Sequence, residues 1–279
     1  MTELLSRPEV NELLARHGLA PRRDLGQNFV ADPNTVRRIA RLAGVGGGDH
    51  VVEIGAGLGS LTLALAETGA TVQAIEIDRG VVPVLREVVA AHQNVTVVEA
   101  DAMRLDWADM LAGSDRWTLV ANLPYNIATP LVCDLLDGVP AIHHLLVMVQ
   151  REVAERLCAP VRTSAYGAVS VKVAYWAEAR VAGIVPATVF VPKPNVESAL
   201  ADITRRTDPA VDVPPERLFH LVRTAFMHRR KMLRRSLVDV VSPAVFEAAG
   251  IDAQRRPEEL DVTEWGALTA ALIAHEEPS

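Results

Sequence analysis

The sequence predicts an α/β protein: a mostly parallel, doubly wound sheet followed by a small, all-helical C-terminal domain. Strand-like apolar segments alternate with helical segments between residues 50 and 157, and such alternation is typical of parallel strands joined by right-handed crossovers. Residues 207–216, TDPAVDVPPE, are rich in proline and aspartate, as linkers are, and only helical patterns follow them. We therefore predict two domains, 1–206 and 207–279.

Local signals predict each element in order. A helix is expected from Asp32-Pro33 to Leu42, because aspartate favours the N-cap and proline the first helical position, and glycines follow it. Apolar runs bounded by turn residues predict strands, and longer periodic runs predict helices. The predicted strands are 50–55, 71–78, 94–101, 117–122 and 143–150, with later strands in 168–185 and 197–206 that include an antiparallel edge. The other predicted helices are 60–69, 80–92, 129–137, 151–157, 217 to about 241, 243–249 and 263–275.

Composition limits the class of protein. The chain has 279 residues, 49% of them hydrophobic, which suffices for a large domain and a small one. No apolar run reaches the roughly 18 residues of a membrane span. Cys133 and Cys158 match no metal or redox spacing. We therefore expect a cytoplasmic protein, monomeric, with no membrane partner and no metal ion.

Charge is distributed unevenly along the chain. The net charge of −7 argues against nucleic acid, yet nine Lys or Arg residues and only three Asp or Glu residues lie between Arg205 and Arg235. Most of the basic residues belong to RTAFMHRRKMLRR, residues 223–235. This segment predicts a face that binds phosphate, although its charge alone fits a solvated helix face equally well.

The segment VEIGAGLGSLT, residues 52–62, combines a strand, a glycine-rich turn and a helix. Glycines in such a turn let the backbone approach a ligand closely. Gly55, Gly57 and Gly59 follow the spacing G-x-G-x-G rather than the G-x-G-x-x-G of nicotinamide-binding proteins, and Glu53 on the strand also favours the methyltransferase version. Taken alone, the glycines are also consistent with a plain tight turn.

Polar residues lie at the ends of three successive predicted strands. Glu76 is near the end of the second strand, Asp101 ends the third and Asn122 the fourth. Open α/β sheets bind ligands at this carboxyl edge. Glu76 can accept hydrogen bonds from both hydroxyls of a ribose, and Asp101 can meet the amino group of a base. With the glycine loop, these residues predict a nucleoside-containing cofactor, for which S-adenosylmethionine is the best candidate.

The stretch NLPY, residues 122–125, fits chemistry on the amino group of adenine. The lone pair of this nitrogen is delocalised into the ring, so a site that accepts hydrogen bonds from its protons favours a pyramidal nitrogen and frees the lone pair. The side-chain oxygen of Asn122 and the carbonyl of Leu123 can accept these bonds, and Pro124 fixes the backbone. Tyr125 offers a ring on which a flipped base stacks. The alternative is a proline turn with a packed tyrosine.

These motifs together resemble the ribosomal RNA adenine N6-dimethyltransferases that modify small-subunit rRNA. The resemblance covers nearly the whole chain. It is carried by LGQNF (25–29) in an N-terminal extension 1–30, VEIGAGLGSLT (52–62), AIEID (74–78), EADAM (99–103), NLPYNI (122–127), FVPKPNVESA (190–199) and AFMHRRKMLRRSL (225–237).

The resemblance implies a Rossmann-like class I methyltransferase domain followed by a small helical domain that binds RNA. It implies S-adenosylmethionine-dependent dimethylation of the N6 amino groups of two adjacent adenines in a hairpin near the 3′ end of small-subunit rRNA, on the ribosomal particle. By the same similarity, Phe190 closes the target-base pocket opposite Tyr125. The residues implied at the cofactor are Asn28, Val30, Gly55, Gly57, Glu76, Asp101, Ala102 and Asn122, and those expected at RNA are Arg223, Arg230, Lys231, Arg234 and Arg235.

Two other functions remain open at this point. Large-subunit rRNA adenine methyltransferases of the macrolide-resistance type share the catalytic loop in variant form, but FVPKPNVESA together with AFMHRRKMLRRSL favours the small-subunit branch. A binding protein on the same fold would act in ribosome assembly or transcription without catalysis. The intact residues Glu76, Asp101, Asn122, Pro124 and Tyr125 argue against this second alternative.

Overall fold

The computed structural model describes residues 4–22, 25–124 and 126–276. The chain divides into two compact units. The first comprises Met1–Ala154 and Arg180–Arg205, and the second comprises Glu155–Ala179 and Arg206–Ser279. The first unit contains most of the strands, and the second is built mainly of helices.

Strands of the described residues form two sheets. They are β1 (Phe29–Val30), β2 (His50–Ile54), β3 (Thr71–Glu76), β4 (Val95–Glu99), β5 (Trp117–Asn122), β6 (Ile142–Gln150), β7 (Ala177–Val185), β8 (Phe190–Val191) and β9 (Ser198–Arg205). Seven strands follow the order β4-β3-β2-β5-β6-β9-β7, and β1 pairs with β8 separately. Strands β2 to β6 run parallel to one another, which confirms the predicted sheet. β9 is antiparallel to β6 but lies inside the sheet, because β7 takes the edge.

Helices connect these strands and make up most of the second unit. They are α1 (Arg7–Arg16), α2 (Pro33–Ala43), α3 (Ser60–Ala66), α4 (Val82–Val89), α5 (Trp107–Met110), α6 (Ala128–Gly138), α7 (Arg151–Leu157), α8 (Ala168–Trp176), α9 (Pro215–Phe226), α10 (Leu233–Ser236), α11 (Pro243–Ala248) and α12 (Val262–Glu276). α2 begins as predicted, with the Asp32 side chain accepting from the Thr35 amide and Pro33 at the first position. None of the described helices is long and apolar enough to cross a membrane.

The order of the strands determines where a ligand site lies in the first unit. β2 has β3 on one side and β5 on the other, so the order reverses at β2. A sheet of this kind opens a crevice at the carboxyl ends of the strands next to such a reversal. The strands themselves are firmly anchored in the core: Val51, Val52, Leu119 and Leu145 are fully buried, as expected for the interior of a parallel sheet.

Residues 168–176 correct one prediction. The alternating pattern AVSVKVAYW predicts a strand, but these residues form helix α8, and the strand begins only at Ala177. Val171 and Tyr175 are four residues apart, so both face one side of the helix. They pack in the core of the second unit with Leu218 of α9 and Trp265 of α12. Tertiary packing therefore overrides the local β preference. Segment 155–179 belongs to the second compact unit, although the sequence groups it with 1–206.

The basic segment is also less helical than its sequence predicts. α9 ends at Phe226, residues 227–230 form turns and α10 is short, so the prediction of one helix from 217 to about 241 is wrong. Contacts within the second unit explain the break. The Arg229 guanidinium donates to Glu258 (2.6 Å) and to the Thr163 carbonyl (3.2 Å), and the Leu233 amide donates to the Arg255 carbonyl (2.8 Å). These bonds bend the chain where a helix would run straight.

Candidate active site

A cavity in the first unit opens at the carboxyl edge of the sheet. Its wall is formed by segment 25–30, the glycine loop after β2, the end of β3, the turn after β4 and the loop after β5. The structure brings ten predicted site residues together in this wall: Asn28, Val30, Gly55, Gly57, Glu76, Asp101, Ala102, Asn122, Leu123 and Pro124.

Two of the residues predicted to be catalytic, Tyr125 and Phe190, are not part of this group. Tyr125 lies outside the described residues. Phe190 is in β8, where its Cα partner is Val30 of β1, and its side chain is only 1% exposed within the core of the first unit. It is not among the described residues that line the cavity. The role of Phe190 in a base pocket therefore stays a prediction.

The glycine loop brings backbone atoms into the cavity wall. Gly55 and Gly57 have φ values of 71° and 57°, in the left-handed region that favours glycine. A Cβ atom on Gly57 would lie 3.0 Å from the Phe29 ring, so the ring would have to move slightly to admit a side chain. The Gly57 amide points instead at the Glu76 carboxylate, to which it donates over 2.8 Å.

Glu76 ends β3 as a buried carboxylate with three backbone donors. Besides Gly57, the amides of Ile77 and Asp78 each donate to its Oε1 over 2.9 Å. Burial raises the pKa of Glu76 above the ordinary value, and the three amides act in the opposite direction. A carboxylate has about four lone-pair sites, so the group keeps acceptor capacity for a ligand hydroxyl.

Asn122 is held in one orientation at the end of β5. Its Nδ2 donates to the main-chain carbonyl of Asn28 over 3.0 Å. A carbonyl can only accept, so the atom facing it must be the amide nitrogen, and this resolves the usual ambiguity between the nitrogen and oxygen of an asparagine. The Asn122 oxygen is left as an acceptor, and no described residue donates to it.

Asp101 and Ala102 follow β4, the strand beside β3, at the carboxyl edge of the sheet. Asp101 is half-buried, and its Oδ1 accepts from the Met103 amide over 3.0 Å. The Arg104 guanidinium lies 3.6 Å from the other oxygen. Ala102 is buried beside it. The Asp101 carboxylate is thus held at the cavity wall.

Sequence reasoning missed the contact that anchors segment 25–30. Gln27 Nε2 donates to Asp78 Oδ2 over 2.7 Å, and Gln27 Oε1 accepts from the Arg22 amide over 2.8 Å. Asp78 is itself buried. The sequence signal that could have predicted this contact is that Gln27 lies in the motif LGQNF and Asp78 in the motif AIEID. Gln27 fixes the segment whose next residue, Asn28, orients Asn122.

Comparison with known proteins places the chain in a family. The profile described as ribosomal RNA adenine dimethylase matches residues 18–273. The chain belongs to this family. The chain is 44% identical to ribosomal RNA small subunit methyltransferase A of Bifidobacterium adolescentis over 285 residues, covering 96% of the chain and 94% of that protein. It is 45% identical to the protein of the same name from Kineococcus radiotolerans over 279 residues, covering 97% and 92%.

Solved structures show the same fold. The 23S rRNA methyltransferase ErmE superimposes with a TM-score of 0.69 at 27% identity, covering 88% of this chain and all of that one. A dimethyladenosine transferase from Plasmodium falciparum superimposes with a TM-score of 0.74 at 22% identity, covering 86% and 95%. The sheet and the C-terminal helices are therefore those of a class I methyltransferase of this group.

S-adenosylmethionine is the cofactor of this family, and the cavity fits it. The cofactor supplies the methyl group that is transferred. Glu76 and Asp101 both line the cavity, and we propose that they would accept hydrogen bonds from the ribose hydroxyls and from the adenine amino group. The absence of side chains at Gly55 and Gly57 leaves the backbone open to close approach. Glu53 is a further buried carboxyl that lines the cavity.

We predict that Glu76→Ala weakens binding of S-adenosylmethionine at least tenfold. Hydrogen bonds to a charged group contribute roughly 1.5–3 kcal/mol each, and about 1.4 kcal/mol corresponds to a factor of ten. Isothermal calorimetry measures the affinity, and thermal unfolding checks the fold, because three amides lose their acceptor. Glu99→Ala is the matched control, since Glu99 is the Cα partner of Glu76 on β4 but is exposed. Equal affinities of the two variants would remove Glu76 from the site.

Proposed function

We propose that this protein dimethylates the N6 amino groups of two adjacent adenines in a hairpin near the 3′ end of small-subunit rRNA, with S-adenosylmethionine as methyl donor. The observation that carries the proposal is the fixed amide of Asn122, whose oxygen is left as an acceptor beside the cofactor cavity. Membership of the adenine dimethylase family supports the reaction type.

Asn122 acts by accepting a hydrogen bond from the target amino group. Its Nδ2 is committed to Asn28, so its oxygen faces any amine that enters. A second acceptor is the Leu123 carbonyl, held in the wall by the bond from the Leu123 amide to the Met148 carbonyl (3.0 Å). Two acceptors hold both amino protons out of the ring plane, which leaves the nitrogen lone pair for the methyl group. No strong general base is required, because the proton becomes acidic only after transfer.

The target adenine must leave its stack to reach Asn122. Tyr125, outside the described residues, follows Pro124 and is our proposed stacking surface. Phe190 is the proposed opposite wall. Its Cα partner Val30 lines the cavity. Stacking of one base contributes about 1–3 kcal/mol.

The small subunit is the favoured substrate for a specific reason. Relatives that are 43–45% identical over nearly the whole chain are named small subunit methyltransferases, whereas the 23S rRNA methyltransferase is only 27% identical. The oriented Asn122 and the intact acids also disfavour a binding protein without catalysis. We also propose that the protein acts on ribosomal particles as a monomer in the cytoplasm.

RNA is proposed to bind the basic segment of the second unit. Five residues predicted for this role have exposed side chains, and none of them forms an ion pair with a described residue: Arg223, Arg230, Lys231, Arg234 and Arg235. Arg229, in the same run, is instead half-buried and pairs with Glu258. Exposed side chains that form no ion pair with a described residue are available to phosphates, whereas Arg229 is a structural residue.

Asn122→Ala is predicted to lower methyl transfer by at least about 10²–10³, the usual loss when one preorganised hydrogen-bonding group is removed from an active site. The rate is measured with unmodified small subunits at saturating S-adenosylmethionine. The exposed Asn34→Ala on α2 is the control for loss of an amide. If the Asn122 variant folds and dimethylates at a near wild-type rate, the mechanism is wrong.

Neutralising Arg230, Lys231, Arg234 and Arg235 together to Gln is predicted to weaken binding to small subunits and flatten its dependence on salt. Each lost phosphate contact reduces the slope of log affinity against log salt by roughly 0.7–0.9. Affinity is measured by filter binding at several salt concentrations. Affinity for S-adenosylmethionine should survive, because its residues lie in the first unit.

The control for net charge is a second quadruple Gln variant at exposed arginines of the first unit: Arg37, Arg41, Arg79 and Arg86. If RNA binds specifically to the basic segment, this control variant should weaken binding to small subunits less than the first quadruple variant does. Equal effects of the two variants would show that the basic segment acts only through net charge, and the RNA footprint would have to lie elsewhere.

A further inference from the structure

Arg162 is a charged residue of the second unit that plays no part in the proposed reaction. Its side chain is exposed, and it forms no ion pair with a described residue. Its backbone φ is 68°, in the left-handed region, and among the described residues it is the one non-glycine residue with a positive φ. Backbone strain of this kind is found most often at positions that have a function.

The turn around Arg162 explains the positive φ. The Thr163 amide and hydroxyl both donate to the Pro160 carbonyl, over 3.4 and 2.7 Å, so residues 160–163 form a β-turn with Arg162 at its third position. A third turn position with a positive φ ordinarily selects glycine. The Arg162 amide donates to the Glu258 carbonyl over 2.9 Å, which holds the turn in this geometry. The turn therefore requires the conformation, but no described hydrogen bond or ion pair uses the arginine side chain.

Glu258 joins this turn to the basic segment. Its carbonyl accepts from the Arg162 amide, and its carboxylate accepts from the Arg229 guanidinium over 2.6 Å. The same guanidinium donates to the Thr163 carbonyl over 3.2 Å. Thr163 follows Arg162 and Arg230 follows Arg229, so two exposed arginines, Arg162 and Arg230, flank one contact between the turn and the basic segment.

Two acids near Arg162 are already paired with other arginines. Glu258 binds Arg229, and Glu264 binds Arg255 over 2.8 Å. The bond to Arg255 lowers the pKa of Glu264, and the charge of Arg162 contributes to the same shift from a greater distance. The guanidinium of Arg162 therefore keeps its donors for an anion outside the chain.

We propose that Arg162 binds a phosphate of the rRNA, so that the RNA-binding surface of the second unit extends from the basic segment onto the turn 160–163. This inference rests on the proposed binding of RNA to the basic segment. Arginine suits the role because its planar guanidinium can donate two parallel hydrogen bonds to one phosphate. The bond to the Glu258 carbonyl fixes the backbone that carries the side chain, so little backbone freedom is lost when RNA binds.

Arg162→Gly separates RNA binding from folding. Glycine adopts the positive φ without strain, so we expect this variant to unfold at a temperature at least as high as wild type. Loss of the charge should weaken binding to small subunits by roughly threefold to tenfold and reduce the slope of log affinity against log salt by roughly 0.7–0.9. Arg162→Lys keeps the charge and should keep most of the slope. Affinity is measured by filter binding over a series of salt concentrations.

Arg217→Gln is the matched control for charge. Arg217 is also an exposed arginine of the second unit, but it pairs with Glu276, so its loss should change RNA affinity less. Wild-type affinity and slope for Arg162→Gly, or an equal loss in Arg217→Gln, would overturn the proposal. If Arg162→Gly unfolds at a lower temperature, Arg162→Gln and Arg162→Lys decide, because equal affinity of these two variants would exclude a role for the charge.

The quadruple Gln variant of the basic segment distinguishes failure of this inference from failure of the proposed RNA binding. If that variant weakens binding and Arg162→Gly does not, RNA binds the basic segment alone and the role of Arg162 is refuted. If neither variant weakens binding, both the basic segment and Arg162 are excluded from the RNA-binding surface. Weakened binding in both variants, with the Arg217→Gln control close to wild type, is the result that we expect.

Discussion

The hydrogen bond from the Asn122 side chain to the Asn28 carbonyl is the contact on which the rest of the site depends. It joins the end of β5 to segment 25–30 across the cofactor cavity. Because the carbonyl can only accept, the bond fixes the amide and leaves its oxygen for the substrate. Gln27 anchors the same segment on Asp78. One stretch of chain therefore forms a wall of the cofactor cavity and orients the side chain that we propose to be catalytic.

Electrostatics explains why so many acids share one cavity. Glu76 is buried, but three backbone amides around the turn after β3 and in the glycine loop compensate its charge. No described backbone amide donates to Glu53, and burial raises its pKa to about 8, against the effect of the Thr62 hydroxyl. The charged residues among the described ones that line the cavity, Glu53, Glu76 and Asp101, are all acids, which favours a cationic ligand. The cavity therefore suits S-adenosylmethionine, whose sulfonium charge is absent from its demethylated product.

The sequence predicts the parallel sheet and its ligand edge because buried strands and glycine turns leave strong local signals, and strand ends then determine where Glu76, Asp101 and Asn122 meet. It does not predict helix α8, since AVSVKVAYW fits a strand locally and only packing against α9 and α12 makes it helical. The turns at 227–230 depend on the Arg229–Glu258 contact, which joins residues far apart in sequence. The Gln27–Asp78 anchor escaped prediction for the same reason.

The most direct test of the account identifies the product. The protein is incubated with S-adenosylmethionine and small ribosomal subunits that lack the modification, the rRNA is digested to nucleosides, and the methylated nucleoside is identified by mass spectrometry. The account predicts N6,N6-dimethyladenosine at two adjacent positions near the 3′ end of small-subunit rRNA. Methylation of a different nucleoside, or of large-subunit rRNA in preference to the small subunit, would contradict it.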